Sequence, residues 1–203
     1  YPISLHLTGM FNVSNALAAV AACISAGLAP KRVREALESC TGVRGRCEVI
    51  PIDRDFTVIC DYAHTPDAIE NILRSVKEYT KGRLICLFGC GGNRDATKRP
   101  KMAQAAAKYA DFLMITSDNP RDEEPEAIIQ DILAGLAGFD VPYEVVVDRK
   151  EAILRSMQLA QKDDVIVLAG KGHEDYQVLP GGVHIHMDER EIVRDCLPLV
   201  PKR

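Results

Sequence analysis

The 203-residue sequence has a formal net charge of −4 and is 47% hydrophobic, enough apolar material for one large domain or a domain with a small appendage. That charge excludes a general nucleic-acid binder, which needs clustered Lys and Arg over phosphates, and no apolar run reaches the ~20 residues required to cross a bilayer. The seven cysteines are odd in number and lack Cys-x-x-Cys spacing, so they read as reduced thiols of a cytoplasmic protein, and the histidines are not spaced with them as a metal site.

The chain opens at Tyr1-Pro2 without an initiator Met or a signal peptide, which reads as a processed chain or a fragment. A short alternating apolar piece, Ile3 to Leu7, reads as a strand. A helix from Ser14 to about Ala26 follows, with Leu17, Val20, Ala21 and Ile24 at helical spacing. Gly27 stops it, and Pro30 opens a second helix ending near Cys40. Two Ala-rich helices and one strand cannot enclose a core, so residues 1–44 read as the tail of a domain whose bulk lies upstream.

From about Arg46 the texture changes to alternating strand and helix. Apolar runs fall at Cys47–Ile52, Phe56–Cys60, Leu84–Phe88, Phe112–Thr116, Tyr143–Val147 and Val165–Ala169. Helical patterns fall at Ala68–Tyr79, Lys101–Tyr109, Glu126–Leu136 and Lys150–Ala160. The alternation predicts an α/β fold over 45–203, a Rossmann-like, mostly parallel sheet covered by helices. Pro180-Gly181-Gly182 between two short apolar segments predicts a hairpin, expected to add an antiparallel edge. A last helix runs from about Asp188 to Cys196.

Four strand-to-loop junctions are polar, and in open α/β sheets that edge binds ligands. Asp61-Tyr62-Ala63-His64-Thr65-Pro66-Asp67 ends one strand with an acid suited to a sugar hydroxyl and a Tyr-x-His pair suited to a flat ring. Its plainer reading, helix entry with Thr65 as cap and Pro66 in the first turn, leaves Asp61 and His64 unexplained. Gly89-Cys90-Gly91-Gly92-Asn93-Arg94-Asp95 allows backbone N–H groups to approach an anion, but matches neither the dinucleotide nor the P-loop signature. Ser117-Asp118-Asn119-Pro120-Arg121 offers a carboxylate, an amide and a guanidinium within four residues, as recognition of a small zwitterion requires. Here the plainer reading is Asp118 or Asn119 capping the next helix. Gly170-Lys171-Gly172-His173-Glu174 puts charge on a close-approach loop. Taken together, four such loops at one sheet edge point to a shared site.

These loops, with Gly9-x-Phe11-Asn12-x-x-Asn15-x-Leu17-Ala18-Ala19 and Gly45-Arg46-x-Glu48, resemble the C-terminal part of the Mur ligases. The resemblance covers essentially the whole chain and is nearest to members that add the third residue of the peptidoglycan stem peptide. It implies an ATP-dependent, Mg²⁺-requiring amide ligase joining meso-diaminopimelate to UDP-MurNAc-L-Ala-D-Glu through an acyl phosphate. The P-loop and the Mg²⁺ site belong upstream in that family; no Gly-Lys-Thr or Gly-Lys-Ser occurs here, so the isolated chain is expected to be inactive. No metal ligand is assigned to it.

Carried over residue by residue, the resemblance implies diaminopimelate contacts at Arg94, Asp118, Asn119, Arg121, Gly170 and Glu174. The two arginines would take carboxylate, Glu174 and the Gly170 carbonyl would take ammonium, and Asp118 and Asn119 would orient Arg121 or touch the ligand. Nucleotide contacts are implied at Asn12 and Asn15 near adenine, Arg46 near the phosphates, and Asp61 and His64 near ribose and base. Asn93 stands where some relatives have Asp. Lysine-adding relatives usually lack the Arg at position 121, which disfavours that alternative and a folylpolyglutamate-type ligase. A nicotinamide dehydrogenase is disfavoured by the missing Gly-x-Gly-x-x-Gly, while a non-catalytic amino-acid-binding module stays open.

Overall fold

The computed structural model describes residues 2–7 and 9–202; Tyr1, where the sequence reading begins, lies outside them. The chain divides into two compact units, residues 1–43 and 44–203.

In the first unit, α1 (Met10–Ser25) and α2 (Pro30–Glu38) are the only regular elements among the described residues. Gly27, at φ 84°, ends α1: its N–H bonds the Ile24 carbonyl at 2.9 Å and Leu28 N–H bonds that of Cys23 at 3.0 Å. Only the left-handed turn that glycine tolerates closes these two bonds together. Pro30 opens α2, where its missing N–H costs nothing. The strand expected at Ile3–Leu7 does not form. Five alternating residues cannot hold a strand alone, and the unit offers no neighbouring strand among its described residues.

The second unit contains a six-stranded sheet in the order β1-β2-β6-β3-β4-β5. Its strands are β1 (Glu48–Ile50), β2 (Thr57–Asp61), β3 (Leu84–Phe88), β4 (Phe112–Ile115), β5 (Tyr143–Val145) and β6 (Val165–Ala169). All neighbours are parallel except β1, which runs antiparallel to β2. Every residue of the central strands β3 and β6 is buried, which is why both read as unbroken apolar runs. The predicted hairpin forms as β7 (Tyr176–Val178) and β8 (His184–His186), but these strands pair only with each other. The antiparallel edge of the main sheet is therefore β1, because β7 is drawn away by side-chain bonds to the turn after β4.

Four helices connect the strands: α3 (Pro66–Lys77), α4 (Lys98–Ala107), α5 (Pro125–Ala134) and α6 (Arg149–Leu159); α7 (Glu189–Cys196) ends the unit. Thr65 caps α3 by accepting from Ala68 N–H at 3.3 Å, with Pro66 at the first turn, and Asp148 caps α6 by accepting from Glu151 N–H at 2.8 Å. The chain steps outward from β2 through β5 and returns to place β6 between β2 and β3. Right-handed crossovers then put α6 on the opposite face from α3, α4 and α5. Accordingly, Ile153, Met157, Ile192 and Val193 of α6 and α7 share one core with Val58, Cys60, Ile85, Leu87, Ile166 and Leu168. The chain reversal at β6 makes a crevice at the carboxyl ends of β2, β6, β3 and β4.

One ion pair spans that end of the sheet. Arg149, at the start of α6, donates to Glu189 at 2.9 Å, to the Ser117 carbonyl after β4 at 3.2 Å and to the Ala169 carbonyl of β6 at 2.9 Å. Glu189 also accepts from the Cys60 thiol of β2 at 3.1 Å. Both charged groups are buried. Burial works to lower the Arg149 pKa, but the Glu189 and Asp118 carboxylates outweigh it and raise it. Glu189→Gln strands a buried guanidinium, and chemical denaturation of this chain is expected to show a loss of about 3–5 kcal/mol; a loss below about 1 kcal/mol contradicts this role.

Candidate functional site

The four polar loops meet at the crevice, held against one another by backbone. An added Cβ at Gly89 would lie 2.3 Å from the Thr116 carbonyl oxygen, and one at Gly92 would lie 1.9 Å from that of Pro120. Glycine at these positions lets the loop after β3 lie flush on the turn after β4. Gly92 N–H bonds the Asn119 carbonyl at 2.9 Å, and Arg121 Nη1 returns a bond to the Gly92 carbonyl at 2.9 Å. Arg121 adopts a left-handed φ of 53°, a conformation rare for a residue with a Cβ. Its N–H bonds the Val178 carbonyl of β7 at 3.1 Å, which holds the turn in that shape.

Around this contact lies a cavity of about 370 Å³. Arg94, Asp118, Asn119, Arg121, Gly170 and Glu174 all line it, so the six residues singled out for an amino-acid ligand converge. His64, Tyr62, Lys98 and Tyr176 complete much of the wall. Three of the lining residues are cationic (Arg94, Lys98, Arg121) and two are carboxylates (Asp118, Glu174). Arg121 spends Nη1 on backbone carbonyls; Nε and Nη2 have no protein acceptor among the described residues, which leaves one edge of two parallel N–H donors for a planar anion. Arg94 is exposed, and among the described residues it donates to its neighbour's carbonyl alone, at 3.4 Å.

The anionic wall is built around Lys171. Its side chain is completely buried, with Nζ 3.0 Å from Asp118 Oδ1, 2.9 Å from the Tyr176 carbonyl and 3.5 Å from Glu174 Oε2, and donating also to Asn119 Oδ1. Asn119 Oδ1 further accepts from Val178 N–H at 2.9 Å, while Asn119 Nδ2 donates to Glu174 Oε2 at 3.2 Å. The expectation that Asp118 and Asn119 orient Arg121 is thus corrected. Asp118 pairs with Lys171, the Asn119 amide is used up on Lys171, Val178 and Glu174, and only the Asn119 backbone carbonyl meets Arg121, at 3.4 Å. Neither residue caps a helix; the residue before Pro125 is Glu124, which caps without a side-chain bond.

A second cluster surrounds Tyr62. The Arg46 guanidinium lies 4.8 Å from the Tyr62 ring centre, and the His64 and His173 rings lie 4.7 and 5.0 Å from it. Arg46 and His64 are exposed, a donor set of cation, imidazole and aromatic face that fits a phosphate and a flat ring. Burial raises the Tyr62 pKa, helped by the charge of Glu174, whose Oε1 accepts from Tyr62 Oη at 3.4 Å. Asp61 does not face the cavity. Its Oδ2 accepts from Cys47 N–H at 2.7 Å and its Oδ1 from Ala63 N–H at 2.8 Å. Burial raises its pKa, and these two amides work the other way. Burial, with the Asp61 charge, also pushes the Cys47 thiol up to about 11. Asn12 and Asn15 belong to the first unit, where Asn15 Nδ2 donates to Asn12 Oδ1 at 3.5 Å on α1. Among the described residues no group of three His, Cys, Asp or Glu side chains could hold a metal ion.

Sequence reasoning passed over the part played by Lys171, Arg149 and Glu189. Lys171 stood out only as a charge between two glycines. The usable signal was the Gly170-Lys171-Gly172 spacing: both glycines take positive φ, 117° and 53°, and Lys171 between them is buried.

A family model described as "Mur ligase, glutamate ligase domain" matches residues 45–172. The UDP-N-acetylmuramoyl-L-alanyl-D-glutamate–2,6-diaminopimelate ligase of Caldanaerobacter subterraneus subsp. tengcongensis is 53% identical over 195 residues, covering 96% of this chain and 40% of that protein. The corresponding ligase 1 of Clostridium acetobutylicum is 51% identical over 197 residues, with the same coverage of 96% and 40%. The chain therefore spans about 40% of the length of the curated relatives it matches. A solved structure of a UDP-N-acetylmuramoyl-L-alanyl-D-glutamate–2,6-diaminopimelate ligase superposes with a TM-score of 0.74 at 39% identity, over 98% of this chain and 40% of that one. A folylpolyglutamate synthase from Thermotoga maritima shares the fold, with a TM-score of 0.60 at 23% identity over 85% of this chain and 40% of that one.

The flush contact between the two loops gives a direct test. Gly92→Ala must push the turn at Pro120 away, and urea denaturation of the chain should show a loss of about 1–3 kcal/mol from overpacking. Unchanged stability would mean the loops are not held together as described.

Proposed function

The chain belongs to the Mur ligase family, and on that premise we propose that it supplies the amino-acid-binding part of an ATP-dependent ligase. The full protein joins meso-diaminopimelate to UDP-MurNAc-L-Ala-D-Glu in peptidoglycan precursor synthesis. Residues 45–203 form the domain that receives the incoming amino acid, and residues 1–44 are the end of a central ATP-binding domain. On this reading the protein works in the cytoplasm, where ATP and the nucleotide-linked substrate are found. Among the described residues no helix is long and apolar enough to cross a membrane.

The observation that carries this reading is the composition of the cavity of about 370 Å³, where Arg121 and Arg94 share one space with Glu174. Meso-diaminopimelate has an amino-acid head at each end. When one amine reacts, the other head still presents a carboxylate and an ammonium. Arg121, with Nε and Nη2 available, suits the carboxylate in fork geometry, and Arg94 can swing to it from the surface. Glu174 and the Gly170 carbonyl suit the ammonium, with Asp118 behind them. Lysine has no distal carboxylate, so a lysine-adding enzyme would have no use for Arg121 here.

The chemistry follows from what each part supplies. ATP, when bound, converts the D-Glu γ-carboxylate into an acyl phosphate. The amine then attacks the acyl carbon, the C–O bond to phosphate breaks and phosphate leaves. This chain's share is to hold the amino acid by its far end so that the near amine meets the acyl carbon, a contribution of proximity and orientation. Arg46 and His64 at the Tyr62 cluster suit the nucleotide's phosphates and base. Asp61, with both oxygens on backbone amides, acts there by shaping its loop and offers its remaining lone pairs to a ribose hydroxyl. Asn12 and Asn15 are assigned to adenine. Mg²⁺ is assigned to no residue of this chain, and the chain by itself is expected to be inactive.

The test is phosphate release by the full-length protein with UDP-MurNAc-L-Ala-D-Glu and either amino acid. The reading predicts turnover with meso-diaminopimelate and little with L-lysine. Arg121→Ala should lose about 2–5 kcal/mol of transition-state binding, roughly 30- to 4,000-fold in kcat/KM for diaminopimelate. Equal use of lysine by the wild type, or an unchanged kcat/KM in Arg121→Ala, would overturn it.

A further inference from the structure

The charge least accounted for by substrate contact is that of Lys171, which touches no solvent and does not line the cavity. A buried ammonium is expensive unless it is fully paired, and the local backbone is shaped to put it there. Gly170 and Gly172 both hold left-handed φ, and a Cβ at Gly172 would come within 2.6 Å of the Tyr62 Cβ and 2.8 Å of the Gly45 carbonyl oxygen.

Inside, the ammonium donates to Asn119 Oδ1, Glu174 Oε2 and the Tyr176 carbonyl, and it lies 3.0 Å from Asp118 Oδ1 as an ion pair. An ammonium only donates, so the face of the Asn119 amide turned toward it has to be the oxygen. Val178 N–H, 2.9 Å from the same Oδ1, imposes the same orientation. The amide nitrogen is then forced toward Glu174 Oε2, 3.2 Å away. With Oε2 held, Oε1 is left to accept from Tyr62 Oη at 3.4 Å.

We propose that Lys171 is a positioning residue for the amino-acid substrate: acting through Asn119, it fixes which oxygen of Glu174 meets the ligand's distal ammonium. It touches no reacting atom. Its effect is on recognition of one substrate and not on the chemistry or on the nucleotide. The inference rests on the diaminopimelate reading of the cavity and adds to it a residue that no ligand contact would reveal.

The experiment is steady-state kinetics of the full-length protein with each substrate varied in turn. Lys171→Met should raise KM for meso-diaminopimelate at least 10-fold, while KM for ATP and for UDP-MurNAc-L-Ala-D-Glu stays within about 2-fold and kcat within about 3-fold. A merely structural lysine would move all three KM values or lower only the folded fraction. Asn119→Asp keeps the ammonium facing acceptors but places an oxygen against Glu174, and should produce the same selective rise. In the double variant the two effects should not multiply, because both break one link. Multiplying effects, or an unchanged diaminopimelate KM in either single variant, would overturn the proposal. If Lys171→Met does not fold, Lys171→Gln, which removes the ammonium but keeps a polar side chain beside Asp118, decides: a selective rise in diaminopimelate KM supports the proposal and an unchanged KM overturns it. A wild type that ligates no diaminopimelate would bring down the functional reading and this inference with it; an active wild type with insensitive variants would bring down the inference alone.

Discussion

The site depends on a constraint of burial: two cations, Lys171 and Arg149, lie entirely inside the protein at the carboxyl end of the sheet. Neither can be there without matched acceptors. Finding those acceptors fixes the loops. Arg149 gathers carbonyls from the ends of β4 and β6 with the Glu189 carboxylate. Lys171 gathers Asp118, Asn119 and Glu174 from the loops just beyond. The loop after β6 is pinned further by Arg190, which donates to the Gly172 carbonyl at 2.6 Å and bridges Glu48 and Asp188. Polar groups that would be costly alone become a rigid frame when paired, and Asp118 Oδ1, which makes no hydrogen bond, is held by the Lys171 charge 3.0 Å away.

That frame gives the crevice walls of opposite charge. On one wall Glu174 and the Asn119 amide are held by hydrogen bonds and Asp118 by its ion pair with Lys171, whereas Arg121 on the facing loop keeps its Nε–Nη2 edge without a protein acceptor among the described residues. The hairpin of β7 and β8 belongs to the same device. It bonds the turn after β4 through Val178, through Gln177 to the Asp118 carbonyl, and through Gly181 N–H to Asp122 at 2.9 Å. It therefore serves as a brace for the binding turn, which is why it leaves the main sheet.

Much of the fold could be read from residue pattern alone. Leu84–Phe88 and Val165–Ala169 are unbroken apolar runs because both faces of the sheet are covered there, and their observed ends match the runs. Thr65 and Pro66 announced the start of α3, and Gly27 the end of α1. Pattern failed where pairing partners decide the outcome. Ile3–Leu7 alternates like a strand but has nothing to pair with, and β1 takes the edge that the hairpin was expected to fill. The convergence of Arg94, Asp118, Asn119, Arg121, Gly170 and Glu174 followed from their common place at strand ends and from family resemblance. What no local pattern could show is the set of partners: Arg149 meets a carboxylate 40 positions away, and Lys171 an amide 52 positions away. In sequence Lys171 showed only as a charge on a close-approach loop, and Arg149 carried no signal.

The central claim is that this crevice selects an amino acid with a charged head at its far end. The most direct measurement is calorimetric titration of the full-length protein, in the presence of a non-hydrolysable ATP analogue and UDP-MurNAc-L-Ala-D-Glu, with meso-diaminopimelate and with L-lysine. Saturable binding of diaminopimelate at least about 30-fold tighter than that of lysine, a gap of about 2 kcal/mol, is the result the account predicts. Equal affinity for the two, or preference for lysine, would contradict it.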